Sequence, residues 1–109
     1  MDEKDKALIL EFKRRLPTHL KARLKHLIVF GSRAKGNAME GSDLDVIALV
    51  DEKTGDIERH LEDIIYQVMW DHDFNPFISL KVLAESHFYD ALNKGFSFYR
   101  HVEKEGIAI

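Results

Sequence analysis

The sequence lacks cysteine, and this absence excludes two kinds of structural feature. Without cysteine the 109-residue chain has neither a disulfide framework nor a cysteine-ligated zinc site. It has only two prolines, no internal repeat and no low-complexity tract, so no segment is typical of a linker. The length therefore predicts one domain, spanning residues 1–109.

Long apolar runs and a strong excess of one charge are also missing. No apolar stretch approaches the roughly 20 residues that span a bilayer, and the charged N-terminus, MDEKDK, contains no apolar signal core. We therefore expect no membrane association and a cytoplasmic location. The net charge of −3 does not indicate nucleic acid as a partner.

Helical and strand-like segments alternate along the chain. Apolar residues at helical spacing predict helices over residues 5–16, from Asp56 onward, over 85–93 and over 96–103. Asp56 is the predicted N-cap of its helix, and Leu20 and Leu24 are expected in a further helical turn. Short apolar runs predict strands over 27–30, 46–50 and 77–83, and the final residues, EGIAI, are predicted to be a tail.

This order predicts an α/β (α+β) fold with a small mixed β-sheet flanked by helices. Only about a dozen residues join the first two predicted strands. That connection is short for a parallel crossover, so the pair is expected to be antiparallel or part of a mixed arrangement.

Two aspartates stand at the start of the second strand, in the stretch FGSRAKGNAMEGSDLDVIALV of residues 30–50. Asp43 and Asp45 are two residues apart, so on a strand their side chains point to the same face. Two like charges so close repel each other unless a cation lies between them. Mg²⁺ is the natural candidate, because it prefers carboxylate and phosphate oxygens.

The residues after the first strand have the chemistry of a phosphate site. Gly31 allows a tight turn and a close approach to the backbone. Ser32 opens a short helix, where its hydroxyl and neighbouring N–H groups can hold a phosphate, and Arg33 and Lys35 add positive charge. By residue type alone the same stretch also fits a plain turn, because Gly, Asn, Ser and Asp all favour turns.

The spacing of these residues resembles the signature of the nucleotidyltransferases of the DNA polymerase beta superfamily. That signature is Gly-Ser, ten residues, and then Asp-x-Asp, as in Gly31-Ser32 and Asp43-Leu44-Asp45. The flanking segments LIVFGSRAKG and SDLDV match as well. The length, the element order and the ending FYRHVEKEGIAI are similar to the minimal, single-domain members, including the antitoxin type.

The resemblance implies both a fold and a chemistry. The fold is the DNA polymerase beta-like nucleotidyltransferase fold. The chemistry is Mg²⁺-dependent transfer of a nucleotidyl group, usually AMP from ATP, to a hydroxyl of a protein or small molecule. It implies nucleotide binding by Gly31, Ser32, Arg33 and Ser42. Asp43 and Asp45 are the implied catalytic residues and magnesium ligands.

The resemblance also implies partners. One is ATP or another nucleoside triphosphate. Minimal members often pair with a HEPN-domain protein in toxin–antitoxin modules, so a HEPN-domain toxin is the implied protein partner, with the nucleotidyltransferase as antitoxin.

One feature departs from the pattern. Active members usually carry a third carboxylate on a later strand, and here that strand is residues 77–83, FISLKVL, which contains no acid. The third acid would fall near Ser79 or Leu80. This leaves a second function open, in which a catalytically degenerate, nucleotide-binding module acts on its partner by occlusion.

Aromatic residues are dense near the C-terminal end of the sequence. They are Phe88, Tyr89, Phe96, Phe98 and Tyr99. Packing of two terminal helices on the sheet explains them. They also fit a surface that a partner or a second copy of the chain covers, as in a homodimer.

Overall fold

Six helices and four strands alternate along residues 1–37 and 39–109, which the computed structural model describes. The helices are α1 (Glu3–Arg15), α2 (Thr18–Arg23), α3 (Ser32–Lys35), α4 (Gly55–Asp71), α5 (Glu85–Asn93) and α6 (Ser97–Glu105). The strands are β1 (Leu24–Phe30), β2 (Leu44–Val50), β3 (Ile78–Ala84) and β4 (Ile107–Ala108).

The strands form one mixed sheet in the order β3-β2-β1-β4. β1 runs antiparallel to both β2 and β4, whereas β2 runs parallel to β3, with α4 as the crossover. The predicted antiparallel or mixed pairing of the first two strands is confirmed. β2 has a neighbour on each side, which explains why its sequence is an almost continuous apolar run.

Helices cover both faces of the sheet and bury two apolar clusters. Alternate residues of β2 point to opposite faces. Val46 and Ala48 belong to the larger cluster, beneath α1 and α4. Ile47 and Leu49 pack instead with Phe88 of α5 and with Val102 of α6. The predicted fold, a small mixed sheet flanked by helices, is confirmed.

The predicted N-cap of α4 is wrong. The cap is Thr54, whose hydroxyl accepts a hydrogen bond from the Ile57 backbone N–H at 3.2 Å. Asp56 lies inside the first turn, where its negative charge favours the helix N-terminus. A threonine two residues upstream satisfies the free N–H groups better than a residue already within the helix.

Two segments near the sheet edge also differ from the prediction. Leu24, expected in a helical turn, begins β1 and pairs with Val50. The EGIAI segment is not a tail, because Ile107 and Ala108 form β4 against Val29 and Ile28. Both pairings join residues far apart in the sequence, so no local pattern indicates them.

None of the helices among residues 1–37 and 39–109 is both long enough and apolar enough to cross a bilayer.

Candidate active site

The candidate site lies where β1 ends and β2 begins. The antiparallel register places Phe30 opposite Asp45. Gly31 and Ser32 follow Phe30 directly, so the pairing brings them beside the start of β2. A segment of about a dozen residues thus leaves the sheet and returns to the same point, and the strand register, not the loop, brings the Gly-Ser and the aspartates together.

Gly31 has a backbone conformation that favours glycine over every other residue. Its φ is +79° and its ψ is −164°, a region that side-chain-bearing residues rarely adopt. A Cβ on Gly31 would lie 2.7 Å from Oδ2 of Asp45. The Asp45 carboxylate therefore packs directly against the backbone of the turn, and any side chain at Gly31 displaces it.

Arg33 holds the loop in place. Its guanidinium donates from Nη1 to both carboxylate oxygens of Asp5, at 3.1 and 3.0 Å, and from Nε to the Ser42 carbonyl at 2.8 Å. Asp5 is buried, with 2% exposure. Arg33 therefore links α1 to the residue just before the aspartates. Its predicted role in nucleotide binding stays a prediction.

Lys35, at the end of α3, pairs with Glu105 of α6. This contact lowers the pKa of the Glu105 carboxyl below its ordinary value, first through its hydrogen bond to Lys35. Both cations of α3 are therefore engaged with carboxylates that lie outside the loop. They position α3 between α1 and α6.

The two aspartates differ in environment. Asp43 precedes β2 and is exposed, whereas Asp45 lies within the strand and is partly buried. Burial raises the pKa of the Asp45 carboxyl above its ordinary value of 3.8, and the charge of Asp43 raises it further. Within residues 1–37 and 39–109, neither carboxylate forms an ion pair, since Arg33 and Lys35 are engaged elsewhere.

Ser42 and Ser32 flank this pair. The Ser42 hydroxyl oxygen is buried and has no hydrogen-bond partner among the described residues, which is costly for a polar atom unless another group reaches it. Ser32 is exposed at the start of α3. The site thus combines two carboxylates, two hydroxyls and the backbone of a tight turn, an oxygen-rich set that suits a hard cation and a phosphate.

The model of the family described as "Nucleotidyltransferase domain" matches residues 6–104. The chain belongs to the nucleotidyltransferase domain family. The predicted family is therefore confirmed, and the match covers Gly31, Ser32, Asp43, Asp45 and Ser79.

Two relatives of this nucleotidyltransferase domain come from Methanocaldococcus jannaschii. "Putative protein adenylyltransferase MJ0141" is 36% identical over 93 residues, which are 81% of this chain and 92% of the relative. "Putative protein adenylyltransferase MJ0604" is 30% identical over 99 residues, which are 90% of each chain. A solved structure, "Crystal structure of the toxin-antitoxin with AMP-PNP", has a TM-score of 0.58 at 19% identity, over 94% of this chain and 69% of that chain. At this identity it shows a shared fold.

The position expected for a third carboxylate in this nucleotidyltransferase domain holds a serine. Ser79 of β3 pairs in register with Asp45 of β2. Among residues 1–37 and 39–109, no group of three or more His, Asp or Glu side chains is close enough to share a metal ion. The sequence indicated the missing acid, and the register identifies its position.

A cation on the same sheet face was not identified from the sequence. Lys81 pairs with Ile47, so it shares the face of Asp45 and Ser79. Its ammonium lies 5.5 Å from the ring centroid of Phe98, which in turn packs edge-on against Phe30 at 5.7 Å. The sequence feature that could have indicated this cation is a single lysine within the otherwise mostly apolar strand FISLKVL.

The C-terminal aromatic residues lie in two kinds of environment, the buried core and the exposed surface. Phe88 is buried in the second core cluster, as packing of the terminal helices predicts. Phe96 and Tyr89 are exposed. A partner or second copy covering them stays a prediction.

Proposed function

We propose that this domain transfers an adenylyl group from ATP to a hydroxyl of a partner protein. The observation that carries the proposal is the packing of Asp45 against Gly31. It places a partly buried carboxylate beside Asp43 and beside the turn that begins α3. Two neighbouring carboxylates without a cationic partner in the described chain are available to bind a cation from outside it.

Magnesium fits this site. Asp43 and Asp45 would hold it, and both supply the oxygen ligands it prefers. The buried hydroxyl of Ser42, which has no hydrogen-bond partner among the described residues, is a further oxygen on the residue next to Asp43. When bound, Mg²⁺ neutralises charge on the triphosphate and on the departing pyrophosphate.

The strand order supports an approach of the two substrates from different sides of Asp45. Gly31 and Ser32 lie on the β1 side of Asp45, and Ser79 lies on the β3 side. We therefore assign the triphosphate to Gly31, Ser32 and Ser42. The acceptor approaches over β3, past Ser79 and Lys81.

The reaction is a displacement at the α-phosphorus. The acceptor oxygen forms a bond to that phosphorus while the bond to the bridging oxygen of the β-phosphate breaks, and pyrophosphate leaves. The acceptor proton passes to solvent, because the β3 position beside Asp45 holds a serine. Asp45 is held against the turn, and Arg33 fixes the loop. The contribution of the chain is therefore to orient the reacting groups.

Two findings support a protein acceptor and ATP as donor. The two Methanocaldococcus jannaschii relatives carry names of protein adenylyltransferases. The structural neighbour is described as a toxin–antitoxin with AMP-PNP. From these and from the minimal-domain resemblance we propose a HEPN-domain toxin as the acceptor and this chain as its antitoxin.

A second candidate function is occlusion without transfer. The serine beside Asp45, where family members usually carry an acid, favours it. In that case the domain binds a nucleoside triphosphate and blocks its partner by contact alone.

Transfer of label from ATP separates the two functions. The unmodified protein is mixed with Mg²⁺, with the protein encoded beside it, and with ATP labelled at either the α- or the γ-phosphate. Adenylyl transfer labels the partner from α-labelled ATP only. Asp43→Asn with Asp45→Asn abolishes the label, while the control pair Asp56→Asn with Asp63→Asn, both exposed on α4, retains it.

Absence of label from the unmodified protein, with partner binding kept by the Asp43→Asn, Asp45→Asn variant, contradicts transfer and supports occlusion.

A further inference from the structure

Part of the β1 edge has no neighbouring strand. β4 pairs only with Ile28 and Val29, and the Ile109 N–H continues this line to the Leu27 carbonyl at 2.9 Å. Among the described residues, no strand covers the outer side of residues 24–26. An uncovered edge exposes backbone N–H and C=O groups that can pair with another chain.

A groove runs beside this uncovered edge, between β1, α1, α2 and the C-terminal residues Ala108 and Ile109. Its cavity is about 620 Å³. Leucines from α1, from the residue that follows it and from β1 line it, and Leu10 is one of the exposed large apolar residues of the chain. They are Leu10, Leu16, Leu24 and Leu27. The groove therefore lies between the uncovered edge of β1 and a surface of leucine side chains.

The rim of the groove is basic. Lys13, Arg14, Lys21 and Lys25 line it together with His26, and no acidic residue does. His26 pairs with Glu85, which lies outside the lining. The other four cations have no carboxylate partner within residues 1–37 and 39–109; Lys13 and Lys25 donate instead to backbone carbonyls. In a chain of net charge −3, these charges are a local concentration.

This basic groove lies apart from the candidate active site. β1 runs from residues 24–26 at the groove to Phe30 beside Asp45, and at about 3.3 Å per residue the two ends are roughly 20 Å apart. Lys25 is the extra residue where the β1–β2 register shifts between Leu24 and His26. Such bulges are common at sheet edges, where they turn a side chain outward.

We propose that the basic groove binds an extended acidic segment of a partner protein. The segment pairs with the uncovered edge at residues 25–26, because the Leu24 N–H already donates to the Leu20 carbonyl of α2. Its apolar side chains lie on the leucines, and its carboxylates contact Lys13, Lys21 and Lys25. Peptide fits this combination better than nucleic acid, because phosphates satisfy the cations but leave the backbone edge and the leucines without partners. The assignment is independent of adenylyl transfer.

The test uses a labelled nine-residue peptide of alternating Glu and Val, and fluorescence anisotropy with the full chain. The comparison probes are a Lys–Val peptide, the Glu–Val peptide N-methylated at alternate residues, and single-stranded RNA. We expect binding of the Glu–Val peptide only. Lys13→Gln with Lys21→Gln and Lys25→Gln should weaken it about tenfold.

The matched control removes three cations elsewhere, with Lys53→Gln, Arg59→Gln and Lys94→Gln, and should leave the affinity unchanged. A second variant, Arg14→Gln with Lys21→Gln, avoids the Lys13 and Lys25 backbone contacts, and it should weaken binding without lowering the melting temperature.

Three results would overturn the proposal. They are equal binding of the Glu–Val and Lys–Val peptides, an affinity that the groove variants do not change, and groove-dependent binding of RNA in place of the peptide. Equal binding of the N-methylated peptide would overturn the strand pairing.

Discussion

Arg33 and Asp5 form a buried ion pair that joins α3 to α1. Both carboxylate oxygens of Asp5 accept from Nη1 of Arg33, at 3.1 and 3.0 Å, and the two side chains are 2% and 15% exposed, respectively. Because Arg33 also donates to the Ser42 carbonyl, an aspartate in the first helix helps to place the loop that carries Asp43. The pair is the main link between the N-terminal helix and the candidate site.

Removing one charge of this pair should destabilise the fold. Asp5→Asn leaves the Arg33 guanidinium largely buried without its counter-charge, so the free energy of unfolding should fall by about 3 kcal/mol in urea denaturation. Glu3→Gln, an exposed change in the same helical turn, should shift it by less than about 0.5 kcal/mol.

Replacing both partners separates stability from positioning. Asp5→Leu with Arg33→Leu should regain much of the lost stability, because no charge is left unpaired. It should not regain the adenylyl label, since the contact with the Ser42 carbonyl is gone. Full labelling by this double variant would contradict a positioning role for Arg33.

Gly31 and Gly36 both have positive φ, +79° and +77°, but their ψ values are −164° and +11°. An alanine at Gly36 costs about 1 kcal/mol in the left-handed region, and an alanine at Gly31 costs more, because its region is essentially confined to glycine. Of these two positions, only at Gly31 does the added Cβ meet a side chain, Oδ2 of Asp45 at 2.7 Å, whereas no atom of the described residues lies within 4 Å at Gly36.

Gly31→Ala should therefore lose the label transfer and melt at a lower temperature than Gly36→Ala, which should keep the transfer. The two variants are compared by α-labelled ATP and by melting temperature. Equal activity of both would contradict the importance of the close approach of Asp45 to the turn.

Asp45 should make the protein less stable as the pH rises. Its pKa in the folded state is raised above the ordinary 3.8, by burial and then by Asp43. The folded state therefore holds the proton more tightly than the unfolded state does. The stability that Asp45 contributes is full below the ordinary pKa and is lost as the pH rises through the folded pKa.

Asp45→Asn cannot ionise, so it should be more stable than the unmodified protein at pH 7, by up to about 1 kcal/mol. The difference should vanish near pH 3, where Asp45 is protonated. Urea denaturation at the two pH values measures it. Asp63→Asn, an exposed change on α4, is the control, and equal gains from both variants would contradict the assignment.

A carboxylate at Ser79 should complete the proposed metal site. Ser79 is in register with Asp45, so Ser79→Asp places a third acid beside the pair. We expect an affinity for Mn²⁺ about tenfold higher by calorimetry, because charge count and ligand number govern the binding of hard cations. Ser79→Asn, similar in size but uncharged, should leave the affinity unchanged.

The Ser79→Asp variant also distinguishes the two proposed functions. If the unmodified protein transfers slowly for want of an acid, the variant should label its partner faster. A variant that binds Mn²⁺ no better than Ser79→Asn would contradict the alignment of Ser79 with the metal pair.

Much of the site could be predicted from the sequence because its parts lie within one short stretch. The spacing from Gly31-Ser32 to Asp43 and Asp45 is local, and a period of two residues puts both carboxylates on one face. The mixed sheet followed from the same strands and from the shortness of the loop between them. The N-cap of α4 was wrong because Thr54 and Asp56 both suit helix starts.

By itself, then, the sequence determined the family, the strand–turn–strand unit and the pair of aspartates, since these depend on neighbouring residues. Only the tertiary structure decided the rest. It joined Arg33 to Asp5, placed Ser79 rather than Leu80 beside Asp45, and turned the final residues into β4 while leaving residues 24–26 uncovered. Each of these depends on contacts between distant parts of the chain, which register and packing establish and local propensity does not.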